Sequence, residues 1–330
     1  MILVTGGTGF IGQHLLAALC GQPEPVRVLL RQQHAPGLPE EFRSRVECVE
    51  GDLLDLASLD MACAGVNKVY HAAAMVSFMP RDRQRMMKVN VEGTANLLQA
   101  SRDAGVGKFL HFSSIAALGR DVLQKEVNEQ TEWKKSRLNT QYALSKFRAE
   151  REVWRARAEG LPVVIINPSV VIGPGPWDKG TGRFFTNCWN GLPAYVPGGT
   201  GLVDVRDVAA LAVQLMESDL EGERFILNGT NIRYRDFFFL ICDALGKPRP
   251  RREAKPWMAE LLWRWHALRY LFTHQEPLVT RETARVSMQQ FFYSNKKIGE
   301  ALHYTFRPLE ETIRDTSGQF LKEHTNLLAG

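Results

Sequence analysis

The first half of the chain alternates short apolar runs with amphipathic stretches. Ile2–Val4, Val26–Leu30, Val46–Val49, Lys68–His71, Phe109–Phe112 and Val163–Ile166 are too short for helices and read as buried strands. Between them, Ile11–Cys20, Arg83–Ala104 and Tyr142–Glu159 carry apolar residues at helical spacing. Such alternation predicts βαβ units, a parallel sheet and helices on both of its faces. Right-handed crossovers then make the sheet doubly wound, and ligands bind at the carboxyl ends of its strands.

After Pro168 this rhythm breaks. Gly and Pro cluster at Gly173–Pro176 and at Pro197–Gly199. The helical pattern Val205–Glu217 and the strand pattern Arg224–Leu227 read as a return to the main sheet. From Tyr234 onward the pattern is mostly helical, in Phe237–Leu245, Trp257–Phe272 and Leu309–Lys322. The expected fold class is therefore α/β, a Rossmann-type doubly wound parallel sheet with a smaller, mostly helical C-terminal substrate domain. Residues 1–167, with 204–230 returning to the sheet, form the dinucleotide-binding domain; 168–203 and 231–330 form the substrate domain. The aromatic-rich helix Trp257–Phe272 suits a core-packing role best. A lid over a hydrophobic substrate and a membrane-surface element beside the basic loop Lys247–Arg252 are the alternatives.

Composition narrows the class. At 330 residues, 45% hydrophobic and 23% charged, the chain has the balance of a soluble globular protein. A net charge of +5 and a pI near 9.0 suit anionic small ligands. The charge is not gathered into one long run, so neither nucleic acid nor a membrane is an expected partner, and a small molecule is. Cys20, Cys48, Cys63, Cys188 and Cys242 are scattered without a CxxC, as expected of a reduced, intracellular protein. The histidines are equally dispersed, so no metal site is expected. No leader pattern precedes Ile2 and no apolar run is long enough to span a bilayer, which predicts a cytoplasmic location.

The stretch Leu3-Val-Thr-Gly-Gly-Thr-Gly-Phe-Ile-Gly12 joins the first strand to the first helix. Gly6 permits the tight turn, Gly9 lets backbone approach a pyrophosphate, and Gly12 lets helix and strand pack closely. The helix N-terminus, with Thr8, Phe10 and Ile11 around it, offers free N–H groups to phosphate. The spacing is GxxGxxG, and a plain strand–helix turn would also tolerate it. The second strand ends at Arg31, with no carboxylate where one would accept both ribose hydroxyls. A guanidinium there suits a 2′-phosphate, so NADP is preferred over NAD. Asp52, followed by Leu53, is placed to meet the adenine amino group.

Tyr142 and Lys146 stand four apart, on one helix face. Reduction of a carbonyl needs such a pair, because a phenol titrates too high for easy proton exchange until a nearby cation favours the phenolate. YxxxK alone is common by chance. Ser113 and Ser114 sharpen it: they follow strand Phe109–Phe112, at the carboxyl end where a hydroxyl can hold the substrate oxygen.

Seven motifs then occur in order: Thr5–Gly12, Gly51-Asp-Leu53, His71-Ala-Ala-Ala74, Asn90–Leu98, Phe112-Ser-Ser114, Tyr142-x-x-x-Lys146 and Asn167–Gly175. Together they resemble the extended short-chain dehydrogenase/reductase superfamily, the NAD-dependent epimerase/dehydratase group, and within it the dihydroflavonol reductases and 3β-hydroxysteroid dehydrogenases. The resemblance is strong to Gly175 and loose beyond. It implies Tyr142 as acid/base, Lys146 as its helper and Ser114 as the substrate-orienting hydroxyl. It also implies Ala72, Ala73 and Ala74 beside the cofactor ribose, Pro168 and Ser169 at the nicotinamide end, and Asn90 as a brace of the site. Relatives dimerise through helices matching 83–104 and 142–159, so a homodimer is expected.

Three activities fit these residues. The favoured one is an NADP- or NAD-dependent reductase or dehydrogenase acting on a ketone, aldehyde or secondary alcohol. Met75 and Ser77 lie in the segment after the alanines that faces the substrate, and the apolar Met75–Met79 run suits an apolar or aromatic skeleton. A nucleotide-sugar 4-epimerase with tightly held NAD is the second, for which Arg183, Arg206 and Arg233 offer diphosphate contacts. A non-catalytic dinucleotide sensor is the third, disfavoured by the intact Ser114, Tyr142 and Lys146. Sugar dehydration is disfavoured by apolar Ile115 and Ala116, where that chemistry uses an Asp-Glu pair.

Overall fold

The computed structural model describes residues 1–32, 37–121, 126–255, 257–258, 260–261, 263–265, 270 and 280–329, with side chains described to residue 324. Its main sheet has seven parallel strands, numbered here β1 (Ile2–Thr5), β2 (Val26–Leu30), β3 (Val46–Glu50), β4 (Lys68–His71), β5 (Lys108–Phe112), β6 (Val163–Pro168) and β7 (Glu223–Leu227). Their spatial order is β7-β6-β5-β4-β1-β2-β3. The winding reverses between β1 and β4, and that switch point opens the crevice in which such sheets bind ligands.

Period-2 alternation in these strands feeds two cores. Ile2, Val4, Val28, Leu110, Val164 and Ile166 face one side, with Leu15, Leu16 and Leu19 of the Phe10–Leu19 helix and Leu211 and Leu215 of the Val205–Glu217 helix. Leu3, Val69, Phe109, Val163 and Ile165 face the other, against Leu97, Leu98 and Val153 from the Gly93–Asp103 and Gln141–Ala158 helices. Burial on both faces is why these runs carry almost no polar residues.

The second half adds a small sheet of Thr230–Arg233, Gly199–Asp204 and Val170–Ile172. Phe185, Phe237, Ile241, Ile313 and Phe320 form a third core there. Charged side chains tie it to the helices Val205–Glu217 and Leu309–Ala329. Asp204 caps the Val205–Glu217 helix through Arg206 N (2.7 Å), accepts from the Arg206 guanidinium (2.6 Å) and accepts from Thr312 Oγ1 (2.8 Å). Arg206 also donates to Asp315 at 2.8 Å. Burial alone would push the Asp204 carboxyl up, but Arg206 and Thr312 hold it below the usual range. Arg206, one of three arginines considered for a sugar diphosphate, is thus engaged in joining helices.

Several boundaries differ from expectation. The region 83–104 is not one regular helix: Arg83–Met87 and Gly93–Asp103 flank a π-helical turn, Lys88–Glu92, which contains Asn90. A π turn carries an extra residue per hydrogen-bonded ring, which the 3.6-residue pattern does not reveal. The strand Gly199–Asp204 escaped the apolar pattern because glycine serves close backbone approach; a Cβ on Gly201 would lie 2.1 Å from Asn228 Oδ1, and Val170–Ile172 is only three residues long. The Leu309–Ala329 helix runs past Lys322. The Trp257–Phe272 helix lies partly outside the described residues. The helices expected to pair two copies expose Arg83, Arg85, Lys88, Arg148 and Arg151.

Two histidines lie abreast inside the sheet. His71 on β4 and His111 on β5 are in register, with ring centroids 5.2 Å apart, and both are fully buried. Burial, with the Lys146 charge nearby, holds His71 down to about 3 and His111 well below its ordinary value. Both stay neutral in the fold. As pH falls below 6.5 the unfolded chain takes up protons that the fold refuses, so stability is lost with acid. Each histidine contributes about 1.4 kcal/mol per pH unit in that window. Neither His111 nitrogen has a hydrogen-bond partner among the described residues. His111→Phe should leave stability at neutral pH unchanged or raise it by about 1–2 kcal/mol, and should flatten the acid limb. Urea titrations at neutral and mildly acidic pH check this; an unaltered acid slope contradicts it.

Candidate active site

The glycine turn sits at the carboxyl end of β1. Gly6 has φ of +76°, a conformation costly for any side chain, and a Cβ there would lie 2.6 Å from Ala73 N. A Cβ on Gly12 would lie 2.0 Å from Gly6 O. Gly9 is exposed, and its N–H donates to Gly6 O at 2.9 Å, closing the turn. No side chain caps the Phe10–Leu19 helix and no acidic residue stands in its first turn. Its leading N–H groups therefore face outward unpaired and in a positive field, which fits a dinucleotide pyrophosphate. Thr8 packs beside Gly37, whose carbonyl accepts from Gln13 at 2.8 Å. The Phe10 ring is covered by Gly175, where a Cβ would meet it at 2.6 Å. Ile11 turns back into the first core.

Arg31, just beyond β2, is exposed and has no hydrogen bond or ion pair among the described residues. Asp52 is exposed at the end of β3, with one carboxylate oxygen accepting from Leu54 N at 2.9 Å. Leu53 is buried, and its carbonyl accepts from Asn96 Nδ2 at 3.0 Å. These two loops and the glycine turn rim one end of the crevice.

The alanine segment after β4 is held by a polar chain with a readable proton order. Ala73 N–H donates to Thr5 Oγ1 (3.3 Å), and Thr5 Oγ1 meets His71 Nδ1 at 2.8 Å. His71 Nε2 meets Thr94 Oγ1 at 2.8 Å, and that hydroxyl donates to Asn90 O at 2.7 Å. Because Thr94 donates onward, it accepts from His71 Nε2–H; Nδ1 then accepts from Thr5. The neutral ring thus bridges β1, β4 and the π turn. Asn90 completes the brace: Oδ1 accepts from Met75 N (2.7 Å), and Nδ2 donates to Met75 O (2.9 Å) and Ser145 Oγ (3.0 Å). Ala72, Ala73, Ala74 and Met75 are therefore fixed as a shelf beside the glycine turn.

Ser114 follows β5 and caps a 3-10 turn, Ile115–Leu118, accepting from Ala116 N at 3.2 Å. The Gln141–Ala158 helix packs on that turn. Its N-cap is Thr140, which accepts from Ala143 N. Tyr142 lies in its first turn and Lys146 one turn on. Lys146 is 3% exposed, and its Nζ donates to Phe112 O, the last carbonyl of β5, at 2.7 Å. Burial pushes the Tyr142 phenol up; the Ser114 hydroxyl and the Arg120 guanidinium charge oppose the rise. Burial brings Lys146 down to about 8, opposed by Glu150 four residues on.

Glu150, Asn167 and Arg224 were not singled out in the sequence. Asn167, at the end of β6, donates to Glu150 and to Ser114 O (3.0 Å). Arg224 on β7 approaches Glu150 at 3.5 Å. Burial pushes Glu150 up, against Ser113, Arg224, Asn167 and Lys146. The signal was present, since Glu150 lies on the Tyr142–Lys146 helix face and Asn167 opens a quoted motif. Pro168 ends β6; Ser169 beyond it is buried, with N–H donating to Leu227 O at 2.9 Å and an unpartnered hydroxyl. Ser77 is engaged locally, donating to Asp82 (2.6 Å) and accepting from Met79 N (3.1 Å). No cluster of metal ligands occurs among the described residues.

A doubly wound sheet with a glycine turn at β1 and Ser, Tyr and Lys gathered at the end of β5 defines an extended short-chain dehydrogenase/reductase. The chain belongs to the NAD-dependent epimerase/dehydratase family, whose model matches residues 2–228. It is 32% identical over 321 residues to a putative dihydroflavonol 4-reductase of Synechocystis, covering 94% of this chain and 92% of the other. It is 35% identical over 258 residues to sterol demethylase protein B of Methylococcus capsulatus, covering 77% of each. The fold also matches a UDP-glucose 4-epimerase of Thermotoga maritima, with a TM-score of 0.79, 21% identity and 98% and 99% of the two chains covered. Reductases and epimerases share this fold, so the reaction has to be argued from side chains.

The crowding at Gly12 gives a direct test of the turn. Gly12→Ala should destabilise the fold by about 1–3 kcal/mol and weaken dinucleotide binding by about tenfold or more. Thermal unfolding and NADPH fluorescence titration measure the two effects; unchanged affinity contradicts the role of this turn.

Proposed function

We propose that the protein is an NADP-preferring reductase or dehydrogenase that interconverts a ketone or aldehyde and its alcohol on an apolar or aromatic skeleton. The observation that carries this reading is the convergence of Ser114, Tyr142 and Lys146, with Lys146 held on the Phe112 carbonyl (2.7 Å). When bound, a nicotinamide dinucleotide supplies or accepts the hydride at the carbonyl carbon. The chain's own residues manage the oxygen. Ser114 O–H donates to it and fixes its position. Tyr142 O–H gives up its proton as negative charge develops there. Lys146, charged below about pH 8, offsets the cost of the phenolate that remains. Glu150 behind it keeps that charge in place. In the oxidative direction the phenolate takes the alcohol proton.

The flank of Tyr142 supports an apolar substrate. Phe78 packs edge-on against its ring at 5.9 Å, and Val76 is 61% exposed on the same segment as Met75. The two relatives bear names that refer to a sterol and a dihydroflavonol. Epimerisation of a nucleotide sugar draws less support, because Arg206 is engaged by Asp204 and Asp315. The preference for NADP rests on Arg31, exposed just beyond β2 and without a hydrogen bond or ion pair among the described residues.

Tyr142→Phe, which keeps the ring and removes the proton, should lower turnover with NADPH and a responsive ketone by about 10²–10⁴-fold. Full turnover in that variant contradicts the assignment. The wild-type pH profile should carry a limb near 8, where Lys146 loses its charge, and Lys146→Met should abolish the limb. Arg31→Asp should shift the ratio of kcat/KM from NADPH toward NADH by about tenfold or more, the loss of one charged contact. An unchanged ratio removes the 2′-phosphate role.

A further inference from the structure

Trp257 and Trp265 are 60% and 62% exposed, whereas the other five tryptophans are half-buried. Leu261, between them, is 58% exposed. All three are helical, and the spacing of four residues places them on one stripe. The opposite side of the same helix is engaged. Trp263 donates to Glu260 at 3.0 Å and lies under Arg281, whose guanidinium is 5.8 Å from the ring centroid. Tyr270 lies under Arg81, 4.9 Å from its ring centroid, on the segment that continues from Met75 and Phe78. The described helical residues between Trp257 and Trp265 thus meet Arg281 through Trp263 and turn two indoles and a leucine outward.

A large indole on the surface keeps its ring apolar and its N–H wet, the balance found at a membrane–water interface. Just before the stripe, Arg251, Arg252 and Lys255 are exposed, and none has a carboxylate partner among the described residues. The whole chain carries +5. Apolar anchors beside unpaired cations form the two-part signal of binding to a surface rich in anionic lipid. A second protein surface would match the apolar stripe but leaves these cations unexplained. No described helix is long and apolar enough to cross a membrane, so the contact would lie at the surface.

We infer that the Trp257–Leu261–Trp265 stripe docks onto an anionic lipid bilayer, bringing the Met75–Arg81 segment, which meets Tyr270 through Arg81 and Tyr142 through Phe78, toward the membrane surface. On the proposed function, this brings Tyr142 toward the phase in which an apolar substrate partitions.

The test is flotation of the purified full chain with vesicles of phosphatidylcholine alone or mixed with phosphatidylglycerol. The wild type should float with the anionic vesicles and be released at about 1 M salt, where the screening length is about 3 Å. Trp257→Ser, Leu261→Ser and Trp265→Ser together should lower the bound fraction by about tenfold or more. Reduction of a water-soluble ketone should stay unchanged, since none of the three belongs to the reacting site. Arg251→Glu with Arg252→Glu leaves the stripe intact and should lose binding to anionic vesicles, which keeps the test decisive if the triple variant fails to fold. Absence of wild-type flotation, or flotation retained in the variants, overturns the inference. So does a wild-type dimer in solution that the triple variant converts to monomer, because the stripe would then cover a second copy.

Discussion

A buried ammonium held by the last carbonyl of a strand organises this molecule. Lys146 gives up water almost completely, and its bond to Phe112 O offsets part of that cost. The carbonyl is available because β5 ends there and the chain turns away into Ser113 and Ser114. The strand end, the serine and the lysine are thus set by one contact. Tyr142, one turn back on the same helix, inherits its position from it. Glu150, Asn167 and Arg224 extend the arrangement across β6 and β7, so the charge is compensated by elements remote in sequence.

The other side of the crevice obeys a steric rule. Gly6 meets the backbone of Ala73, and Gly12 meets the carbonyl of Gly6. Because β1 and the alanine shelf approach so closely, Thr5 reaches both Ala73 and His71. His71 is buried and neutral for the same reason, and passes the constraint through Thr94 to the π turn and Asn90. The shelf and the helix that carries Tyr142 meet again at Ser145, which links the two halves of the crevice. A cofactor lying across the switch point would touch both.

The sheet was legible because its central strands are buried on two faces and mostly apolar, as in β1 and β6. The residues proposed to react stood out because glycine spacing and YxxxK are local in sequence. What escaped was nonlocal or locally atypical. The π turn at Asn90 breaks helical period. The strand at Gly199–Asp204 is glycine-rich because Asn228 and Ser169 crowd it. Glu150 looked like one more charge on a helix until β6 and β7 supplied its partners. Arg206 read as a ligand-binding arginine, and only the fold brings Asp315 to it.

The central claim is that these residues carry hydride transfer with release of the oxidised cofactor. The most direct measurement uses NADPH deuterated at the transferable nicotinamide position, incubated with the protein and a panel of apolar ketones, with products read by mass spectrometry. The account predicts deuterium on the carbinol carbon of a released alcohol, in step with NADP formation. Deuterium that never leaves the cofactor across the panel would contradict it, as would an isomerised sugar nucleotide formed with no net change in the cofactor.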